Sequence, residues 1–231
     1  MRRTIARELM DEPVEDAGEL EANLRDIAFA NAWFGGSAPV VRAVRALGAR
    51  TILDVGSGAA DIPLALANDA ARRGARVAVT CLDRSEQMLA IARRRTQNHP
   101  ALTFVRAEGE ALPFGEAAFD VVTCTLALHH FEPPAARALL HELRRVARLS
   151  PVVCDLRRSA TAFGLTWLWS RTSRNRLTRH DAPLSVGRAY TPAEALALAH
   201  EAGWSDPRVK NEPFFRMTLT DSSPRPDTSR R

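Results

Sequence analysis

The sequence predicts an α/β fold built on a seven-stranded, mostly parallel sheet with helices on both faces. Three observations carry that expectation. From residue 51 onward, apolar strand-like segments alternate with helical ones. The strand-like segments are apolar on both faces, as strands covered by helices on each side are. The stretch TILDVGSGAADIPLALA (51–67) runs from a short apolar strand through Gly56-Ser57-Gly58 into a helix start. Those are the parts of a nucleotide cradle.

Each element has its own signal. Leu20, Leu24, Ile27, Ala28 and Phe34 fall near helical spacing and predict a helix over 14–34, ended by Gly35-Gly36. Val40, Val41, Val44 and Leu47 predict a second helix over 39–47, so that residues 1–48 make a helical cover over the carboxyl end of the first strand. Strands are expected at 51–55, 77–82, 102–105, 120–124 and 151–155, and helices at 61–71, 85–95, 134–147 and 192–202. Ser85 and Thr191 suit N-caps, and Pro134 and Pro192 suit first-turn positions. Two shorter strands, near 208–210 and 214–219, complete the sheet. The alternation breaks once, at a helical insert over 156–190 after the fifth strand. There Phe163, Leu165, Trp167, Leu168 and Trp169 precede an arginine-rich run, the candidate lid or substrate cap. Residues 1–220 thus read as a single domain, and the proline- and serine-rich 221–231 as a disordered tail.

Composition narrows the class. A chain of 231 residues buries one substantial core, and 45% apolar with 26% charged residues is ordinary for a water-exposed globular fold. The formal charge is +5, but Lys210 is the one lysine among 32 basic residues. A solvated arginine surface is therefore expected, with no nucleic-acid partner, since no binding motif accompanies the excess. Cys81, Cys124 and Cys154 fall within or at the end of strands, as small core residues of a reducing compartment do, and a cytoplasmic location follows as the expectation. The start, MRRTIARELMDEP, lacks the apolar stretch of a secretory signal, and no run has the length of a membrane span, so no stable membrane insertion is expected.

In the glycine turn, Asp61 stands where a dinucleotide-binding turn has its third glycine. A carboxylate at a helix start repels a diphosphate, so a ligand with a cationic or zwitterionic end fits better. Asp83 ends the second strand, where it can accept both hydroxyls of a ribose, and Glu108 follows the third strand, within reach of an adenine edge. Three successive strand ends thus present ligand-binding groups, where open parallel sheets bind their ligands.

LDVGSGAADIPLALA, VTCLDRSEQMLAIA, AEGEALPF and FDVVTCTLALHHF, in this order, closely resemble the class I S-adenosylmethionine-dependent methyltransferases. Within that family the chain looks most like the ubiquinone and menaquinone branch and small-molecule methyltransferases of bacterial secondary metabolism. A weaker resemblance, over 155–195, is to polyketide-associated methyltransferases. The resemblance implies a Rossmann-like fold and S-adenosyl-L-methionine as cofactor. It implies that Asp54, Gly56, Ser57, Gly58 and Asp61 surround the methionine moiety and that Asp83 holds the ribose. Arg84, Met88, Glu108 and Gly109 would lie by the adenine, and Thr125 and Leu126 by the sulfonium. The family's further glycine near Ala59 or Ala60 is missing, and Glu108 stands where Asp is frequent.

His129-His130 follows the fourth strand, and a neutral imidazole there can take a phenol proton, or can merely cap the next helix. No third ligand stands at useful spacing, so no metal is expected. Between 157 and 188 seven arginines face one acid, Asp181. Arg157, Arg158, Trp167, Arg179 and His180 are the candidates for gripping an anionic acceptor, with a solvated helix face as the plain alternative. His180 is also a second acid–base candidate. The expected reaction is O-methylation of an aromatic or polyketide-derived hydroxyl by a monomer or homodimer. C-methylation of a quinone-precursor ring is the alternative. A non-catalytic cofactor-binding protein and an NAD-dependent oxidoreductase are the readings of other classes; Asp61 speaks against the latter.

Overall fold

The computed structural model describes residues 1–222 apart from 12, 13, 34 and 35. Seven strands form one sheet: β1 (Thr51–Val55), β2 (Ala78–Asp83), β3 (Leu102–Arg106), β4 (Phe119–Thr125), β5 (Ala147–Leu156), β6 (Pro207–Glu212) and β7 (Arg216–Asp221). Their order is β3-β2-β1-β4-β5-β7-β6. β1 pairs in parallel with both β2 and β4, and β7 alone pairs antiparallel on both sides, with β5 and β6. The strand order turns back between β1 and β4, so a crevice opens beyond their carboxyl ends, the usual ligand position in such sheets.

The helices are α1 (Ala17–Trp33), α2 (Ala38–Ala46), α3 (Asp61–Arg72), α4 (Glu86–Arg95), α5 (Pro133–Val146), α6 (Ala160–Ser170), α7 (Arg176–Arg188) and α8 (Pro192–Glu201). The period of two along the strands divides the core. Leu53, Val122, Val153 and Leu219 face α5 and α8, with Leu139, Leu140, Leu143 and Leu198 packed on them. Ile52, Val79, Val121 and Val152 face the other way, under Val40, Val44, Ile62 and Leu66 of α2 and α3. The expected caps form: the Ser85 hydroxyl accepts from Met88 N, and Thr191 and Glu194 make a reciprocal capping box. All three cysteines are free and buried, and burial pushes their thiols up, that of Cys154 to about 11.

Two expectations change. α2 belongs to the sheet layer and not to the cover, because Val40 and Val44 are buried against the strands. The chain is still in the sheet at Asp221, which was expected to start the disordered tail. This residue is 1% exposed, pairs with Arg144 at 2.6 Å and accepts from Asp206 N. Phe34, Gly35 and residues 223–231 lie outside the described residues.

The insert after β5 is a pair of helices, α6 and α7, packed on each other. α7 also packs on α1, where Leu20, Leu24, Met88, Ile91 and Leu177 form a third apolar cluster. The chain's first residues run over this layer, with a 3-10 turn at Leu9–Asp11. Thr4 N donates to Gly187 O, and Leu9 N and Met10 N donate to the buried carboxylate of Asp181.

Candidate active site

The turn after β1 is built from backbone that tolerates positive φ. Gly56, Gly58 and Ala60 have φ of 73°, 51° and 62°. A Cβ at Gly56 would stand 2.8 Å from the Ala127 Cβ, whereas one at Gly58 would meet nothing within 4 Å. Gly56 is thus required by packing between loops, and Gly58 by conformation beside open space. Gly56 N and Ser57 N donate to Leu82 O, and the Asp83 carboxylate accepts from Gly58 N at 2.8 Å and Ser85 N at 2.9 Å. Asp83 therefore ties the glycine turn to the start of α4, and lone pairs remain on its oxygens.

Beneath the turn, Asp54 is buried in the sheet and accepts from the Thr123 hydroxyl at 2.5 Å. Burial pushes its carboxyl up to about 6, against the opposing effect of the Thr123 and Ser57 hydroxyls. Ser57 donates its hydroxyl to Asp54 O. Asp61 opens α3 and stands 3.4 Å from Arg95.

The other candidates on this side are arranged less tightly. Arg84 is exposed and donates to Asp11 O, and Met88 is buried under α1 and α7. Glu108 is exposed at the mouth of the crevice, while Gly109 is buried, and a Cβ there would stand 2.9 Å from Leu139. Thr125 and Leu126 close β4. The Thr125 hydroxyl is buried without a hydrogen-bond partner among the described residues, and Leu126 has a φ of 54°, which L side chains adopt at a cost.

Sequence reasoning picked out His129-His130, and the fold surrounds the pair with acids it missed. Asp155, at the end of β5, accepts from His129 N at 2.9 Å and lies 2.7 Å from its Nδ1. Burial alone would raise the Asp155 carboxyl; pairing with His129 outweighs it and holds Asp155 below the usual range. An ionised Asp155 makes Nδ1 of His129 the donor and leaves Nε2 as the acceptor of the neutral ring. His130 Nδ1 stands likewise 2.7 Å from Asp11. Burial is again overcome at Asp11, by His130 and by Arg188 at 2.6 Å, and the carboxyl stays well below its ordinary value.

Glu8 completes the group. Its Oε1 is 3.7 Å from His129 Nε2 and its Oε2 is 4.0 Å from His130 Nε2. The side chain is buried, Oε1 has no hydrogen-bond partner among the described residues, and burial pushes the carboxyl up to about 7. Sequence spacing offered no third acid or imidazole beside the histidine pair; the fold brings Glu8 of the N-terminal segment next to it. Asp155 was legible as an acid ending a strand, whereas nothing local to Glu8 or Asp11 announced their partners.

The insert divides the arginine candidates. Arg158 is buried with its donors engaged within the protein, to Met1 O, Ala189 O and Glu194, so it is a structural tie and not an open grip for an acceptor. Arg157 is half-buried, and its Nε has no partner among the described residues. Arg171 stacks over Trp167 at 4.8 Å, and Arg171, Arg174, Arg176, Arg179 and His180 line a surface groove. His180 is half-exposed and stands 2.7 Å from the Asp181 carboxylate. Trp167 is 46% and Leu168 62% exposed, so α6 presents an open apolar face. Arg216, which sequence reasoning missed, is buried and donates to Asn31 Oδ1, while its Nε and Nη1 find no partner among the described residues.

The sheet order, the glycine turn and the acid at the end of β2 define a class I methyltransferase fold. Residues 52–149 match the family described as methyltransferase domain. The ubiquinone/menaquinone biosynthesis C-methyltransferase UbiE of Rickettsia akari is 35% identical over 109 residues, 45% of this chain and 42% of its own length. The demethylmenaquinone methyltransferase of Clavibacter sepedonicus is 36% identical over 116 residues, 49% of this chain and 44% of its own length. The matched stretch thus spans less than half of these curated relatives. In fold, a crystal structure described as a putative O-methyltransferase from Nostoc punctiforme superposes with a TM-score of 0.67 at 14% identity, covering 96% of this chain and 64% of that one.

Proposed function

We propose that the protein transfers a methyl group from S-adenosylmethionine to a small aromatic or polyketide-like acceptor, at a hydroxyl oxygen. The observation that carries this reading is the convergence of the glycine turn, Asp83 and the Thr125–His129 segment on the crevice beside β1, where the strand order turns back. The residues fit the cofactor's chemistry. Gly58 borders open space beside an amide held by Asp83, the carboxylates of Asp54 and Asp61 suit a cationic end better than a diphosphate, and the Thr125 hydroxyl has no hydrogen-bond partner among the described residues. When bound, the cofactor supplies a methyl group made electrophilic by a positive sulfur.

The chain's own part is alignment, water exclusion and handling of one proton. Asp83 accepts from ribose hydroxyls while its bonds to Gly58 N and Ser85 N keep it in place. His129 takes the acceptor proton at Nε2, and Asp155 orients the ring and stabilises the imidazolium. α6, with Trp167 and Leu168, covers a flat acceptor and keeps water from the transfer. C-methylation of a quinone-precursor ring is the second reading, favoured by the activities for which the two quinone-pathway relatives are named. Calorimetric titration with S-adenosylmethionine, S-adenosylhomocysteine and NAD tests the reading. Micromolar binding of the first two without NAD supports it; binding of NAD, or of none, sinks it.

A further inference from the structure

We propose that Glu8, His129 and His130 form a binding site for a divalent cation of the zinc type. One ligand atom from each of the three residues falls within 4.8 Å of the other two. The contacts in this group come in two kinds. Both Nδ1 atoms stand 2.7 Å from a carboxylate, the distance of a charge-assisted hydrogen bond. Both Nε2 atoms instead stand off from Glu8, at 3.7 and 4.0 Å. Those gaps are too long for hydrogen bonds and only a few tenths of an ångström beyond the roughly 3.4 Å that two ligands of a tetrahedral cation keep at bonds of about 2.1 Å. The ligand atoms lie within 4.8 Å of one another, so side-chain rotations that bring them inward by up to about 1.4 Å reach that spacing.

The surroundings are those of a ligand set. Each histidine gives its Nδ1–H to a carboxylate, Asp155 or Asp11, which turns the Nε2 lone pair toward Glu8 and is the outer-shell arrangement of metal-bound imidazoles. Glu8 Oε1 is an independent sign: a carboxylate oxygen buried without a hydrogen-bond partner among the described residues. Charge points the same way. Three carboxylates, of Glu8, Asp11 and Asp155, meet two guanidinium groups: Arg188, which donates to Asp11 and to the His130 carbonyl and stays 3.9 Å from Glu8, and Arg216, buried within electrostatic reach of Asp155. Arg3 is engaged with Glu132 and the carbonyls of His129 and Phe131. Two imidazoles and one carboxylate select zinc, cobalt, nickel, copper or ferrous iron over magnesium or calcium. The site exists independently of methyl transfer; its role deepens the methyl-transfer reading and rests on it. An acceptor hydroxyl bound to such a cation ionises near neutral pH, its proton passing to solvent; in the cation-bound form this replaces the proton transfer to His129 Nε2 that the metal-free site makes.

The test uses the full chain, freed of any affinity tag and stripped with a chelator, in equilibrium dialysis against Zn2+ and Co2+ with elemental analysis. One cation per chain is expected, undisturbed by excess Mg2+, with affinity reduced at least about 100-fold in Glu8→Gln and His130→Ala and about 10- to 100-fold in Asp11→Asn. His99→Ala, outside the cluster, keeps wild-type affinity. Substoichiometric binding by the wild type, or unchanged affinity in folded Glu8→Gln, overturns the proposal. Should the variants fail to fold, Cu2+-loaded wild type decides: spin-resonance couplings to two nitrogens support the site, and a spectrum without them refutes it. Parallel titration with S-adenosylmethionine separates the two readings, since cation binding without cofactor binding would overturn methyl transfer and leave the metal site standing.

Discussion

The cofactor side of the crevice and its acceptor side meet at the same strand ends, yet contacts of different range build them. From β1 to α4, the working groups lie on one β-turn-α unit and the strand beside it: Asp83 reaches Gly58 over 25 residues. On the acceptor side the ties are long. Asp11 meets His130 across 119 residues and Arg188 across 177, and Leu9 is anchored on Asp181 across 172. The cofactor side is therefore a local motif that any similar sheet reproduces. The acceptor side exists only once the N-terminal segment, the β4 loop and α7 have docked, and it is the part free to differ between proteins of one fold.

Variants can break this division, and the largest effect is expected on the acceptor side. His129→Ala leaves the Asp155 carboxylate buried without its partner and should cost about 3–5 kcal/mol in denaturant unfolding, with cofactor affinity nearly unchanged. A loss under about 1 kcal/mol would show that the pair does not anchor this side.

Next comes Asp54, on the cofactor side. Its folded pKa of about 6 lies above the ordinary 3.8, so the folded state holds the proton more tightly. That contribution is complete below pH 3.8 and is lost as pH rises through about 6. It amounts to roughly 3 kcal/mol. Asp54→Asn should remove this fall, which unfolding midpoints between pH 4 and 7 would reveal; an unchanged profile means Asp54 is not the group.

Asp83→Ala should weaken S-adenosylmethionine binding by about 1.5–3 kcal/mol in calorimetry, leaving cation binding as it was. Full affinity would remove Asp83 from the site. Gly58→Ala should lose about 1 kcal/mol of stability to its left-handed backbone, as nothing crowds the new methyl, and should weaken cofactor binding. The smallest effect belongs to Leu168→Glu: stability within about 0.5 kcal/mol, unchanged cofactor binding and a raised KM for an apolar acceptor. A large loss of stability there would mean that α6 has a packing role hidden by its exposure.

The legible and illegible parts follow the same division. β1 carried its bounds in its apolar residues, the Ser85 and Thr191 caps were readable from residue type, and the glycine turn announced itself through positions that need positive φ. The three cysteines were rightly placed in the core. His129-His130 was visible as a pair, but not the acids around it. Arg158 looked like a grip for an acceptor and is a tie between α8 and the first residue, because residue type does not reveal which donors are already engaged.

By itself, the sequence determined the order of strands and helices, the glycine turn and the acid at the end of β2. Hydrophobic period, capping chemistry and backbone freedom act within a few residues and leave local marks. The tertiary structure decided that α2 lies on the sheet, that Asp221 is held in β7 by Arg144, and that Glu8 faces two imidazoles. Those outcomes depend on which surfaces dock and which charges are desolvated together. Such contacts join residues distant in the chain, and no local pattern encodes them.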